Sequence, residues 1–309
     1  MQLIRLPNVF TVLADVSAAF LLIAGAVSPV NRFALVLTAG VCLYWSGMIL
    51  NDVFDVEKDR QERSSRPIAS GAICIKRARV FGWLLMLIGV ASGAASGFLP
   101  NASGTVTFVP AATSVALAAM IVAYNGPLKS TPLAPAAMGG CRALSFLLGA
   151  SPVLSVAIGE PFVPRYIVGI SFAMGVYVMG VTLIARDEAT GNRKINLRTG
   201  FVVLLVGALL LAFAPGLARP QDRATWAIQP GGQFVFLIWL IILPVAVRAF
   251  RLQFEPEPQA IGHAVRAGVL TIIPLSAAFA FLGAGQNAGL AVFALLVPTI
   301  FLALRLRVT

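Results

Sequence analysis

Long apolar runs joined by short polar segments dominate this chain, and within the runs the apolar residues are continuous rather than alternating. A half-buried strand would alternate with period two, and a soluble amphipathic helix would keep a polar face. Runs near 20 residues instead match the thickness of a bilayer crossed by helices. Ten spans are predicted: Val9–Val27, Phe33–Leu50, Arg79–Phe98, Val106–Tyr124, Ala134–Ile158, Tyr166–Ile184, Gly200–Pro215, Gln233–Phe250, Ala264–Leu282 and Ala288–Leu306. The expected fold is all-α, a polytopic transmembrane helical bundle of nine to ten spans. The last two are joined so tightly, across Gly283–Gln286, that a re-entrant hairpin is the alternative. Residues 1–309 read as one transmembrane domain, with no stretch left over for a second, soluble one.

Composition removes the competing classes. Hydrophobic residues make up 59% of the chain and charged residues 11%, with a mean hydropathy of +0.90. A soluble domain carries about 25% charged residues, so this chain does not cover a water-facing surface. Of its 23 basic residues, 18 fall on alternate loops: Arg5; Lys58, Arg60, Arg63, Arg66, Lys76, Arg77 and Arg79; Lys129; Arg186, Arg193, Lys194 and Arg198; Arg248, Arg251 and Arg266; Arg305 and Arg307. The positive-inside rule puts those loops, and both termini, in the cytoplasm. The expected location is a bacterial cytoplasmic membrane. The same rule, with attraction to anionic lipid, explains most of the net charge of +11; a phosphorylated substrate is the sharper reading. Nucleic acid is not an expected partner, because the basic residues are spread over membrane-edge loops. The three cysteines, Cys42, Cys74 and Cys141, have no metal-ligand spacing. Ala24-Gly25-Ala26 resembles a leader cleavage site, but cleavage would invert the charge bias, so the first span reads as a retained helix.

Polar residues therefore stand out where they occur. The densest group is Asn51-Asp52-Val53-Phe54-Asp55-Val56-Glu57-Lys58-Asp59-Arg60, directly after an apolar run. Carboxylates at a membrane edge are costly, and their default reading is functional. On a helix Asn51, Asp55 and Asp59 recur at i, i+4 and i+8, an expected single face. Hard oxygen donors in that arrangement suit Mg²⁺, which takes one or two carboxylates together with water and substrate phosphate. Arg63 and Arg66 follow; they fit a diphosphate held between metal and guanidinium, and they equally serve as topogenic charge. Tyr124 and Lys129 close the fourth span, as phosphate contacts or as interface anchors. Arg186, Asp187 and Glu188 close the sixth, where the two carboxylates bind a second metal, orient Arg186 or simply pair with it. Arg142 lies deep in the fifth span and requires a cavity or a partner, and Asp15 in the first raises the same question.

The spacing Asn51-Asp52-x-x-Asp55-x-x-x-Asp59 resembles the first aspartate-rich motif of the UbiA-type intramembrane prenyltransferases. Arg66-Pro67-Ile68-Ala69-Ser70-Gly71 is similar to the segment that follows it there, and Tyr124–Lys129 to the tyrosine-and-lysine loop after the fourth span. The resemblance runs through nine of the ten spans. It implies Mg²⁺ bridging aspartates to an isoprenoid diphosphate, departure of diphosphate, and alkylation of a small aromatic or lipophilic acceptor. It assigns Asn51, Asp55 and Asp59 to the metal and Arg66 and Lys129 to phosphate. The candidate catalytic residues are Asp55, Asp59, Arg186 and Asp187; Arg63, Arg66, Tyr124, Lys129, Arg142 and Glu188 are candidate substrate contacts. The chain departs from the family pattern in the second motif, where Val178, Thr182 and Ala185 stand at positions expected to be acidic. That departure, with the setting of Arg142, is similar to a divergent EboC-like branch. It keeps open an alternative in which the protein carries or binds an isoprenoid-linked or aromatic molecule without turning it over.

Overall fold

The computed structural model describes residues 6–62, 64–99, 106–154, 163–186, 194–254 and 256–306. Every regular element among them is helical, as the continuous apolar runs require. Chain order gives α1 (Val9–Ala24), α2 (Val30–Phe54), α3 (Val56–Glu62), α4 (Ile75–Phe98), α5 (Val109–Asn125), α6 (Ala134–Ala150), α7 (Arg165–Ala185), α8 (Lys194–Phe213), α9 (Pro220–Ala224), α10 (Gly232–Arg251), α11 (Pro258–Leu270), α12 (Ile272–Ala284), α13 (Gln286–Phe293) and α14 (Leu296–Leu306). Prolines mark many of the starts: Pro29 and Pro164 precede α2 and α7, while Pro110, Pro135 and Pro258 occupy the first turns of α5, α6 and α11. Proline's missing N–H is harmless there, since a first-turn N–H has no intrahelical acceptor. α1 ends at Gly25, whose φ of +67° is the left-handed conformation that closes a helix.

Eight segments among the described residues are long and apolar enough to cross a membrane. They include both expected terminal spans, as Pro258–Ala284 and Gln286–Arg305. α5 and α6 are helical where expected, at 17 residues each, the lower end of the lengths that cross a bilayer. The ninth and tenth spans are each broken in two, at Thr271 and at Ala294–Leu295. Pro274 and Pro298 explain the breaks: a proline has no N–H to give the carbonyl four residues back, which is Leu270 in one case and Ala294 in the other.

Helix α2 packs along α4, α7 between α6 and α8, and α1 between α6 and α12. Two cores result. One gathers α1, α6–α8 and α10–α12 around Tyr177, Ile238 and Phe279; the other gathers α1, α2 and α4–α6 around Phe20, Leu43 and Leu148. Outward-facing positions remain apolar: Val80, Leu84 and Leu87, on one stripe of α4, are 68%, 50% and 67% exposed. A soluble protein would put charge there, so the stripe faces lipid and the protein is integral to the membrane.

The contacts sort the bundle into two ends. At one, the buried Arg32 side chain donates to the carbonyls of Leu99 and Pro152, and the N–H groups of Ala227 and Ile228 donate to Gly283 O and Leu282 O, each at 3.2 Å. The other end holds the acidic segment.

Candidate functional site

At the acidic end, α2 runs into α3 through Asp55. The helical repeat continues across this turn, with Asp55 N–H donating to Asn51 O at 3.0 Å and Asp59 N–H to Asp55 O at 2.8 Å. Beyond α3, Pro67 and Gly71 fold the chain back. Ile73 N–H donates to Pro67 O at 3.0 Å, Gly71 takes φ +79° with open space where a Cβ would stand, and Ile68 buries itself among Ile49, Val53, Val56 and Ala78. Burying Ile68 returns Arg66 to the acidic residues. On the other side, the turn after α5 is closed by Leu128 N–H on Ala123 O at 2.9 Å and brings Lys129 alongside α2.

Two charged groups form. Lys129 Nζ donates to Asn51 Oδ1 at 2.6 Å and to Asp55 Oδ2. Arg66 Nη1 donates to Asp59 Oδ2 at 2.6 Å and to Asp52 Oδ1 at 3.3 Å. The Asn51 amide joins them, its Nδ2 being 3.5 Å from both Asp52 Oδ1 and Asp55 Oδ2. The single face expected for Asn51, Asp55 and Asp59 is thus corrected to two pairs, Asn51 with Asp55 and Asp52 with Asp59. Helical geometry gives the reason. At about 100° per residue, i and i+7 lie about 20° apart, whereas i and i+8 lie about 80° apart. Asp52, left out of the expected set, belongs to the site. Among the described residues no three His, Cys, Asp or Glu side chains gather in metal-ligating geometry. All five charged side chains of these groups are partly or largely shielded, those of Asp52 and Asp59 being 8% exposed, so salt screens them less than surface pairs.

An apolar cavity of about 120 Å³ adjoins this cluster, lined from α1, α2, α5, α6 and α7. Gly47 and Met48, one turn before Asn51, and Tyr124, five residues before Lys129, form its near end. Asn125 Nδ2 donates to Gly47 O at 3.1 Å, tying α5 to α2 there. Val178 of α7 contributes an apolar wall, and Thr182 turns its hydroxyl back onto Val178 O at 2.8 Å. The residues read as departures from the second acidic motif therefore play apolar and local roles.

Arg142 also lines the cavity, with one edge fixed. It donates to the fully buried Asp15 carboxylate through Nη1 and to Thr11 Oγ1 through Nη2 at 3.0 Å, and Ser276 Oγ donates to the other Asp15 oxygen at 2.9 Å. Sequence reasoning flagged Asp15 and Arg142 separately and missed Thr11 and Ser276. The signal for the pair was that two opposite charges lie deep in spans. Arg186 stands exposed at the end of α7, joins neither charged group and does not line the cavity. Arg63, Asp187 and Glu188 lie outside the described residues.

Outside the spans, Cys74 sits exposed at the start of α4. The backbone N–H groups of Arg77 and then Lys76 hold its thiol below the ordinary cysteine range.

Comparison with known proteins matches residues 12–264 to the UbiA prenyltransferase family. The digeranylgeranylglyceryl phosphate synthase of Methanopyrus kandleri is 28% identical over 204 residues, which is 64% of this chain and 69% of that protein. A solved structure of a digeranylgeranylglyceryl phosphate synthase superposes with a TM-score of 0.62 at 20% identity, over 92% of this chain and 97% of that one. A UbiA homologue from Archaeoglobus fulgidus, solved with DMAPP and Mg²⁺, gives 0.61 at 14% identity, over 95% of this chain and 98% of that one.

Proposed function

The chain belongs to the UbiA prenyltransferase family, and from that premise we propose that it uses Mg²⁺ to transfer the prenyl group of an isoprenoid diphosphate to a lipophilic acceptor within the membrane. The observation that carries this reading is the pairing of Lys129 and Arg66 with acidic residues at the near end of an apolar cavity. Family membership favours turnover over a carrier role.

The donor set fits Mg²⁺. Asn51, Asp52, Asp55 and Asp59 offer only hard oxygens, and Mg²⁺ needs just one or two carboxylates when substrate phosphate and water complete its shell. A preformed cage of three carboxylates is not required. Those four residues would hold the ion, and when bound it would neutralise charge on the leaving diphosphate. On substrate binding, Lys129 and Arg66 exchange their carboxylate partners for phosphate oxygens, as cations beside a leaving group must. The bond between the prenyl C1 and the diphosphate oxygen breaks, and its electron pair leaves with the diphosphate. An electron pair of the acceptor forms the new bond to C1. The proton displaced from the acceptor passes to the diphosphate. The apolar wall, Val178 included, keeps water from competing for the allylic cation.

The acceptor is proposed no more finely at this stage than as lipophilic. The named relative makes a glyceryl phosphate lipid, which widens the expected class beyond small aromatic compounds. The loop bias of basic residues supports placing the acidic end on the cytoplasmic side.

The deciding experiment is binding of an isoprenoid thiodiphosphate to the purified protein, with and without Mg²⁺. Wild type should bind only with Mg²⁺, and Asp55→Asn should lose that binding while remaining folded. Mg²⁺-independent binding equal in both proteins would refute the assignment.

A further inference from the structure

We propose that α8 and α10, where they meet at the acidic end of the bundle, form a seat for an anionic phospholipid, with two arginines for its phosphate and a tier of phenylalanines for its acyl chains. Neither helix lines the cavity, so this seat is separate from the place where prenyl transfer is proposed. α10 leaves the end held by Ala227 and Ile228 and runs 20 residues, about 30 Å, to finish at Arg251. There it meets the start of α8. Gln253 Nε2 donates to Ala249 O at 3.1 Å and to Leu197 O at 3.3 Å, which pins the end of α10 to the first turn of α8. Phe201 of α8 meets Phe250 of α10 with ring centroids 5.9 Å apart, and Phe250 meets Phe254 edge-on at 5.3 Å. The rings form one tier across both helices. Phe201 is partly buried against the core, whereas Phe250 and Phe254 are 50% and 71% exposed.

An arginine accompanies the tier on each helix. Arg198 precedes Phe201 by three residues along α8, and residues so spaced share a helix face. Arg251 precedes Phe254 by three, and a turn in which Phe254 N–H donates to Arg251 O at 3.0 Å joins them. Both arginines are exposed, and neither enters an ion pair among the described residues. Arg248 instead turns back onto Pro244 O at 3.1 Å.

The two kinds of side chain select one occupant. Phenylalanine lacks the hydroxyl or N–H with which tyrosine or tryptophan meets interfacial water, so the exposed tier suits hydrocarbon. Arginine's planar fork takes phosphate oxygens in pairs, and basic pockets between membrane helices hold anionic headgroups. A phospholipid with net negative charge matches both surfaces at once. A free phosphate would leave the rings bare, and a neutral lipid would leave the two cations unmatched. The positive-inside rule requires charge at this end but no seat between helices. The start of α4 provides the contrast: Arg77 and Arg79 lie beside the exposed Phe81 and Trp83 on one helix, and among the described residues no ring contact links those side chains to a second helix.

For the test, the full chain in detergent is titrated with dioleoylphosphatidylglycerol and with dioleoylphosphatidylcholine, alike in acyl chains and different in charge, and bound lipid is counted by native mass spectrometry. Wild type should bind its first phosphatidylglycerol at least about tenfold more tightly than phosphatidylcholine, each arginine contributing about fivefold. Arg198→Gln with Arg251→Gln should bring that preference below about threefold, while Arg77→Gln with Arg79→Gln should keep it at about tenfold or more. Phe254→Ser should weaken phosphatidylglycerol binding at least about threefold by removing acyl-chain contact, and it carries the test if the arginine variants fail to fold. A weaker preference in wild type, a preference retained without Arg198 and Arg251, one lost without Arg77 and Arg79, or an unchanged affinity in Phe254→Ser would each overturn the proposal.

Discussion

At the scale of the residue, charge in an apolar chain is informative because it is expensive, and the deep pair shows how far that reasoning reaches. Asp15 is fully buried against Arg142. Arg142→Met should therefore destabilise the protein by about 3–5 kcal/mol, the penalty of leaving a buried charge alone. Asp15→Leu combined with Arg142→Met should recover most of that loss, which denaturant unfolding of the two variants would check. Asp59→Asn should reduce prenyl transfer at least about 100-fold without loss of folded protein, measured by turnover beside thermal unfolding; an Asp59→Asn protein with wild-type turnover would remove Asp59 from the machinery. Asp52 shows the limit of reading residues by spacing. Counting in fours leads from Asn51 to Asp55 to Asp59 and skips Asp52, although seven residues bring a helix closer to its starting face than eight do. Arg66 and Lys129 were legible because they are cations beside carboxylates. Asn125 was not, because an asparagine in a span acquires meaning only when its partner, here Gly47 O on α2, is known.

Elements were legible wherever length and apolarity sufficed, and illegible where one residue in a run acts on the backbone. The starts of α2, α5 and α7 follow from apolar runs and prolines. The divisions of α11 from α12 and of α13 from α14 do not follow from hydropathy, which is unbroken there; they follow from the missing N–H of Pro274 and Pro298. How the helices cross was also hidden, because glycines in a membrane helix look alike in sequence. Gly283 is one that matters. A Cβ there would meet Leu22 Cα at 2.3 Å and Leu21 O at 2.8 Å, both backbone atoms of α1. Close approach at small residues is how membrane helices pack, so Gly283→Ala should force α1 and α12 apart. The expected result is a clear fall in monodisperse protein on size-exclusion chromatography. Gly216→Ala, where nothing lies within 4 Å, should leave the profile as in wild type.

For the whole molecule, the proposed orientation, with the acidic end on the cytoplasmic side, is open to test at Cys74. It is the exposed thiol of the three, since Cys42 is buried and Cys141 lies in the cavity wall. Because the N–H groups of Arg77 and Lys76 lower its pKa, more of it is thiolate at neutral pH than of a free cysteine, and its labelling rate should fall off only at a pH below that of an ordinary thiol. A membrane-impermeant maleimide should label it in inside-out vesicles and not in right-side-out ones, and Cys74→Ser should abolish the signal. Labelling from the opposite face would invert the proposed topology. The two ends of the bundle also differ in what fastens them. Arg32 and the strand of bonds from Ala227 and Ile228 hold one end through backbone carbonyls, which no solute displaces. The other is closed by Lys129 on Asp55 and Arg66 on Asp59, which any phosphate competes for. On the proposed function the bundle works as a clothes-peg, sprung at the Arg32 end and gripping at the other, and a bound diphosphate would loosen the jaws. Spin labels at Gln61 and Ser130 should therefore separate when diphosphate binds, while a pair at the sprung end stays still.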